Sequence, residues 1–247
     1  MRGGALERAL SAAQEKRTLE LGRQNERESA WAAGVCADIL RVRGELDEAL
    51  RIRREEQLPV YERLGDVRSR AVTMGKVADI LQARGELDEA LRIRREEELP
   101  VYERLGDVRE RAVAMGKVAD ILQARGELDE ALRIHREEQL PVYERLGDVR
   151  SRAVAMGRVA DILQARGELD EALRIRQEEV LPVYERLGDV LPLLICRAKL
   201  AVIYLRRSQP GDREMAASLL LLARTSAESL RLPEAAQILA IQRQWGL

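Results

Sequence analysis

From Val67 to Ala83, apolar residues fall at Ala71, Met74, Val77, Ala78 and Leu81, three or four positions apart, which predicts a helix with one apolar stripe. Arg84 and Gly85 mark its end, because a cation suits a helix C-terminus and glycine tolerates the left-handed residue that stops it. A second helix is predicted from Glu86, with Leu87, Ala90 and Leu91 on one face, continuing toward Leu99, Val101, Tyr102 and Leu105. Gly106-Asp107 closes it, and Asp107 is a suitable N-cap for the next helix. The apolar phase slips between Leu91 and Leu99, just before Pro100, whose ring clashes with the carbonyl of Glu96. The expected outcomes are a kink or π-bulge near Glu97–Leu99, or a break with Pro100 opening a short third helix.

This pattern repeats every 41 residues. RGELDEAL occurs four times, with its glycine at Gly44, Gly85, Gly126 and Gly167, and LPVYERLGD four times, with its proline at Pro59, Pro100, Pro141 and Pro182. The unit 65–105 differs from 106–146 only at Ser69/Glu110, Thr73/Ala114, Arg94/His135 and Glu98/Gln139. One helix pair cannot bury both of its apolar faces, so neighbouring units are expected to stack into a continuous core. The expected organisation is an N-terminal helix (1–28, with Ala5, Leu6, Ala9 and Leu10 inward), repeats at 29–64, 65–105, 106–146 and 147–187, a divergent repeat at 188–232, and a capping helix at 233–247. In the cap, Ala235, Ile238, Ile241 and Trp245 share one side and Gln242 lies elsewhere.

Ala78, Leu81, Gly85, Leu87 and Ala90, with their copies Ala119, Leu122, Gly126, Leu128, Ala131 and Ala160, Leu163, Gly167, Leu169, Ala172, resemble the tetratricopeptide repeat (TPR). The likeness spans roughly residues 29–231. It departs in length from the usual unit of about 34 residues. It looks like the long subclass found in kinesin light chains and in bacterial signalling and defence proteins. The resemblance implies an all-α fold, an α-solenoid of tandem antiparallel helix pairs forming a right-handed superhelix, whose first helices line a concave groove. HEAT and armadillo repeats, also of about 41 residues, are the alternative architecture.

On that reading the groove carries an apolar line of Trp31, Val72, Val113 and Val154, with Ile195 in the fifth unit. A ladder of charges and amides runs beside it: Lys76, Asp79 and Gln82, then Lys117, Asp120 and Gln123, then Arg158, Asp161 and Gln164. Lys76 and Asp79 could be a wet i,i+3 pair, or the ladder could hold an extended peptide or partner helix by charge-assisted hydrogen bonds. The mid-helix glycines Gly34, Gly75, Gly116 and Gly157 each cost roughly 1 kcal/mol against alanine. They need a reason, either close helix packing or ligand approach.

Composition narrows the function classes. The 42 Lys and Arg nearly cancel the 43 Asp and Glu, so no global field draws the chain to nucleic acid or anionic membrane. The RIRREE runs read as solvated, self-paired faces. His135, the single histidine, falls where the other copies have arginine and is expected on an exposed helix position. Cys36 and Cys196 are expected as buried free thiols. The four tyrosines Tyr61, Tyr102, Tyr143 and Tyr184 are expected to pack, with wet hydroxyls. There is no phosphate-binding glycine loop, GxSxG, HExxH or CxxC. No apolar run approaches the ~18 residues of a membrane span, and the first residues lack a signal core, so a cytoplasmic location is expected. The expected function is a protein- or peptide-binding scaffold or sensor with no catalytic, metal or cofactor site. The alternative is self-association into a dimer or filament.

Overall fold

The computed structural model describes residues 2–247, with side chains from residue 4 onward. The described residues form twelve helices and no strand. Their contacts divide them into two compact units, Met1–Glu127 and Leu128–Leu247.

In the first unit, α1 (Arg2–Gly22) packs on α2 (Glu26–Arg43). Next come α3 (Leu46–Arg51, Ile52–Gln57 and Leu58–Arg63), α4 (Val67–Ala83), α5 (Leu87–Ile93, Arg94–Glu98 and Leu99–Arg104) and α6 (Val108–Ala124). In this unit α4 lies against the second helix of its own repeat, α5, and that of the repeat before, α3. The core between them is made of small and branched aliphatics: Ala71, Val77, Ala78, Ile80 and Leu81 from α4, and Ala90, Leu91 and Ile93 from α5, all buried. At the end of α4, Gly85 takes φ +82 and Glu86 N–H donates back to the Leu81 carbonyl, which satisfies an orphan carbonyl of the last turn. At the start of α6, the Asp107 carboxylate accepts from Glu110 N–H at 3.1 Å. Along α1, Leu6 and Leu10 are half-buried and Ala13 buried, whereas Ala5 and Ala9, expected inward, are exposed. The stripe therefore continues through Ala13 and Glu20, the latter accepting from Asn25.

The second unit repeats the scheme with α7 (Leu128–Arg133, Ile134–Gln139 and Leu140–Arg145), α8 (Val149–Ala165), α9 (Leu169–Arg174, Ile175–Val180 and Leu181–Leu187) and α10 (Val190–Arg207). It ends in α11 (Asp212–Ser229) and α12 (Glu234–Trp245), which packs on α11. Ile238 is the buried anchor of α12, with Ala235, Ile241 and Trp245 half-buried around it. Gln242, expected away from the packed face, is also buried and accepts from Arg224 at 2.8 Å.

The phase slip before each proline is a π-helical turn, seen at Ile52–Gln57, Arg94–Glu98, Ile134–Gln139 and Ile175–Val180. There the N–H of Leu58, Leu99, Leu140 and Leu181 donates five residues back, to the carbonyls of Arg53, Arg94, His135 and Arg176. The wider turn absorbs one extra residue and relieves the carbonyl that the proline ring would strike. It also changes which face is inward. Leu99, Val101 and Tyr102 remain buried after it, but Leu105 is 47 % exposed and leaves the core.

Candidate partner-binding face

The apolar line on the first helices is solvent-facing. Trp31, Val72, Val154 and Ile195 are 52, 42, 49 and 38 % exposed, and Val113 is half-buried. The Trp31 ring is fixed by Lys16 of α1, whose ammonium stands 4.2 Å from its centroid and also pairs with Glu28 at 3.1 Å. Gln82, Gln123 and Gln164 lie half-buried further along the same helices.

The charge ladder is organised differently from a surface i,i+3 pair. In the first unit, Asp79 binds Arg94 of α5 at 2.6 Å and lies 3.8 Å from Lys117 of the next first helix. In the second unit, Asp161 is held by Arg176 of α9 and by Lys199 of α10, the latter at 2.6 Å. Asp38 pairs with Arg53 at 2.7 Å. Asp120 and Arg158 are half-buried and exposed respectively, and each is engaged in a polar or electrostatic interaction. The aspartates therefore tie a first helix to its second helix, and in two cases reach on to the following first helix.

These arginines overturn the reading of RIRREE as a wholly solvated run. Arg53, Arg94 and Arg176 are buried, and so is His135, which was expected on the surface. Each lies three residues after a buried leucine, Leu50, Leu91, Leu132 or Leu173, and so stays on the inward phase as the π turn begins. Arg53 donates to the Gln57 side chain at 2.6 Å, Arg94 to Glu98 at 2.6 Å, and Arg176 to the Gly157 carbonyl at 3.2 Å. His135 Nδ1 is 2.7 Å from Gln139 Oε1, and Gln139 donates to the Tyr143 hydroxyl at 3.4 Å. The Nε groups of Arg53, Arg94 and Arg176 have no hydrogen-bond partner among the described residues. Buried unpaired donors are costly, which makes these positions demanding ones.

Gly34 and Gly75 leave room for this layer. A Cβ on Gly75 would lie 2.7 Å from Arg94 Nη1 and closer still to Glu98 Oε1, and one on Gly34 would meet Arg53 and Gln57 in the same way. Helix packing against a buried polar pair, rather than ligand approach, explains the missing side chain. Burial pushes the Glu98 carboxyl above the usual carboxylate range; Arg94 opposes the shift, while Asp79 and Glu110 add to it. The Tyr102 hydroxyl is pushed up to about 12, chiefly by burial and then by Glu98 and Glu110. Tyr102, like Tyr61, Tyr143 and Tyr184, is buried, so these tyrosines pack as expected, and Tyr61 and Tyr184 also line clefts. Cys36 and Cys196 are buried free thiols, both shifted upward, mainly by burial.

Clefts open where the buried arginine, its own first helix and the next first helix meet. In the first unit a cleft of about 260 Å³ is lined by Trp31, Gly34, Asp38, Arg53, Gln57 and Tyr61 on one side and by Ser69, Val72, Thr73 and Lys76 on the other. In the second unit a cleft of about 290 Å³ is lined by Val154, Arg158, Asp161, Arg176, Val180 and Cys196, with Ile195 and Lys199. The apolar line and the cations of the ladder thus border the clefts. The residues that sequence reasoning left out are the cleft residues Arg53, Gln57 and Arg176 and the buried pair Arg94 and Glu98 at the equivalent positions. A signal for them was present, since two of the four differences between neighbouring copies fall on this pair.

No family model matches the sequence, and no curated protein matches it. Solved structures do. BtubC (BKLC) from P. vanneervenii superposes with a TM-score of 0.73 at 19% identity, covering 92% of this chain and 92% of that one. The chain has a TPR-like repeat fold. The nearly identical TPR-like repeats of a Podosopora anserina protein named for the kinesin light chains superpose with a TM-score of 0.62 at 21% identity, over 81% of this chain and 96% of that one. A point variant of the same protein gives 0.63 at 20% identity, over 81% and 95%. TPR-like folds are commonly protein-interaction scaffolds and generally non-enzymatic. Among the described residues no helix is long and apolar enough to cross a membrane, and no group of three or more His, Cys, Asp or Glu is placed to hold a metal ion.

Proposed function

We propose that this chain is a protein- or peptide-binding scaffold that holds its partner on the first-helix faces of its TPR-like repeats. One observation carries the reading. Of the apolar side chains that stay exposed at a 41-residue register, Trp31, Val72, Val154 and Ile195 line the two clefts, whereas Leu64, Leu105, Leu146 and Leu187 and Val67, Val108, Val149 and Val190 line neither. Isolated exposed apolar residues need no explanation, but their recurrence at one register next to a concavity is the pattern of a docking surface. Lys76, Lys117 and Arg158 supply charge next to that line. Asp79 is engaged by Arg94 and Lys117, and Asp161 by Arg176 and Lys199, so these aspartates are not themselves free partner contacts.

The outer faces of the second helices contrast with this surface. Arg92 is held by Glu89, Glu96 and Glu97, and Arg51, Arg133 and Arg174 sit in the same fan. Self-paired charges offer a partner little that is unsatisfied.

The test is selection of random 12-residue peptides against the full chain, followed by titration of a selected peptide. Trp31→Ala and Val72→Glu should each weaken binding roughly tenfold or more, the scale of a central contact, while Arg92→Ala leaves it unchanged. Affinity that survives both first-helix changes contradicts the assignment. Light scattering during size-exclusion chromatography distinguishes a monomer of 27.9 kDa from a self-associating chain, the outcome that would move these faces into a homotypic interface.

A further inference from the structure

The near-identical copies differ in an unusual place. Across the second-helix blocks 44–64, 85–105, 126–146 and 167–187 only three positions vary: Arg53/Arg94/His135/Arg176, Arg54/Arg95/Arg136/Gln177 and Gln57/Glu98/Gln139/Val180. Across the first-helix blocks 65–84, 106–125 and 147–166 again only three vary: Ser69/Glu110/Ser151, Thr73/Ala114/Ala155 and Lys76/Lys117/Arg158. Five of these six positions, in the form Arg53, Gln57, Ser69, Thr73 and Lys76, line the single cleft beside Trp31. Exposed positions such as Asp47, Asp88 and Asp129, each 91 % exposed, do not vary at all. Physical tolerance predicts the reverse, because surface substitutions usually change stability by less than about 0.5 kcal/mol and buried polar ones by far more. Arg53, Gln57 and Thr73 are buried and Ser69 and Lys76 half-buried, so change that gathers at these five positions indicates that the chemistry of the cleft is what distinguishes the copies.

That chemistry differs in sign within the first unit. In the cleft beside Trp31, Asp38 is the only carboxylate; it is taken up by Arg53, and Gln57 is neutral. Arg68 on the rim is engaged by Asp107, and Lys76 forms no ion pair among the described residues. The buried Arg53 also keeps an unpartnered Nε. One repeat on, Arg94 is claimed by both Asp79 and Glu98, Lys117 lies near Asp79, and Glu110 adds a further negative charge that acts on Glu98 and Tyr102.

We propose that the copies have diverged into successive side-chain subsites of different chemistry. The first, at Trp31, Arg53 and Lys76, takes an acidic side chain of a bound peptide. The second, at Arg94, Glu98 and Glu110, refuses one. This rests on the first-helix faces being the partner surface. It adds that the partner is read in a fixed register, since a segment whose carboxylate fits the first cleft loses that contact when shifted by one repeat.

The full chain and a double variant, Glu98→Gln with Glu110→Ser, are each used to select from the same displayed library of random 12-residue peptides. Both substitutions install residues that other copies already carry at those registers, Gln57 and Ser69, so the fold is retained; circular dichroism checks this. The unaltered chain should enrich peptides with one Asp or Glu at a constant place relative to an apolar residue. Changing that acid to its amide should cost roughly tenfold in affinity, and Lys76→Glu should abolish the preference. The double variant should enrich a second acid at a constant offset. Peptides that lose binding with Val72→Glu but show no acidic preference, or the same preference in both chains, overturn the subsite proposal and leave the docking face standing. Failure to select any peptide, or peptides indifferent to Val72→Glu, overturns the docking face and this inference with it.

Discussion

Arg92 and Arg94 are two residues apart on one helix and live in opposite worlds. Arg92 is 43 % exposed in its side chain and satisfied by glutamates of its own helix at i−3, i+4 and i+5. Arg94 is 4 % exposed and satisfied by Asp79 on another helix and by Glu98 across the π turn. The outer arginine is identical in all four copies, whereas the inner position becomes His135 in one and changes partners in the others. A self-contained surface network is thus repeated without change, and a buried network is rewritten copy by copy. Conformational demand and chemical variation coincide at the clefts.

Breaking the inner side should have the largest effect. Arg94→Ala leaves Glu98 buried without its counter-charge, and removing one partner of a buried pair costs about 3–5 kcal/mol. Urea unfolding should show a loss on that scale, and a change too small to resolve would mean that water reaches the pair. The glycine beneath sharpens the contrast between copies. Gly75→Ala should destabilise by about 1–3 kcal/mol through overpacking against Arg94 and Glu98. At Gly157 the nearest atom to a new Cβ is Arg176 Nη1 at 4.0 Å, because Val180 replaces the glutamate. Gly157→Ala should therefore stabilise by about 0.5–1 kcal/mol, the helix-propensity gain. Equal signs at the two glycines would separate their role from the buried pair.

Glu98→Gln should act in a pH-dependent way. Burial raises the folded-state value of this carboxyl above its ordinary one, so its favourable contribution is present in acid and is lost as pH rises through the folded value. The amide removes that loss. Melting temperatures of the variant and the parent should converge near pH 4, with the variant higher at pH 7. A constant difference across that window would show that Glu98 does not titrate with folding. The smallest effect is expected on the outer side, where Arg92→Ala should leave the unfolding midpoint unchanged within error at moderate salt.

The same contrast explains what could be read from the chain. Helix boundaries, the aspartate caps and the first-helix stripe depend on neighbours within a turn or two, so Ala71, Val77, Ala78 and Leu81 fall inside as their spacing implies. The slip before Pro100 was visible, and the π turn is its structural form. What spacing does not reveal is the rotation that follows from that turn. It releases Leu105, fourteen residues after Leu91 and on the same phase, whereas Arg94 and Glu98, three and seven residues after Leu91, stay on that phase and are buried although polar. Nor does a ladder of Lys76 and Asp79 along one helix disclose that Asp79 answers to Arg94, fifteen residues on. Gly34 and Gly75 at the centres of their helices were signs of crowding, and their meaning needed the partner helix.

The docking face itself is tested most directly by site-specific photo-crosslinking with a selected peptide. p-Benzoylphenylalanine at position 72, on the first-helix face, should crosslink the peptide in proportion to its occupancy, and the same group at position 92, on the outer face, should not. Crosslinking from position 92 with none from position 72 would place the partner on the self-paired face and contradict the account.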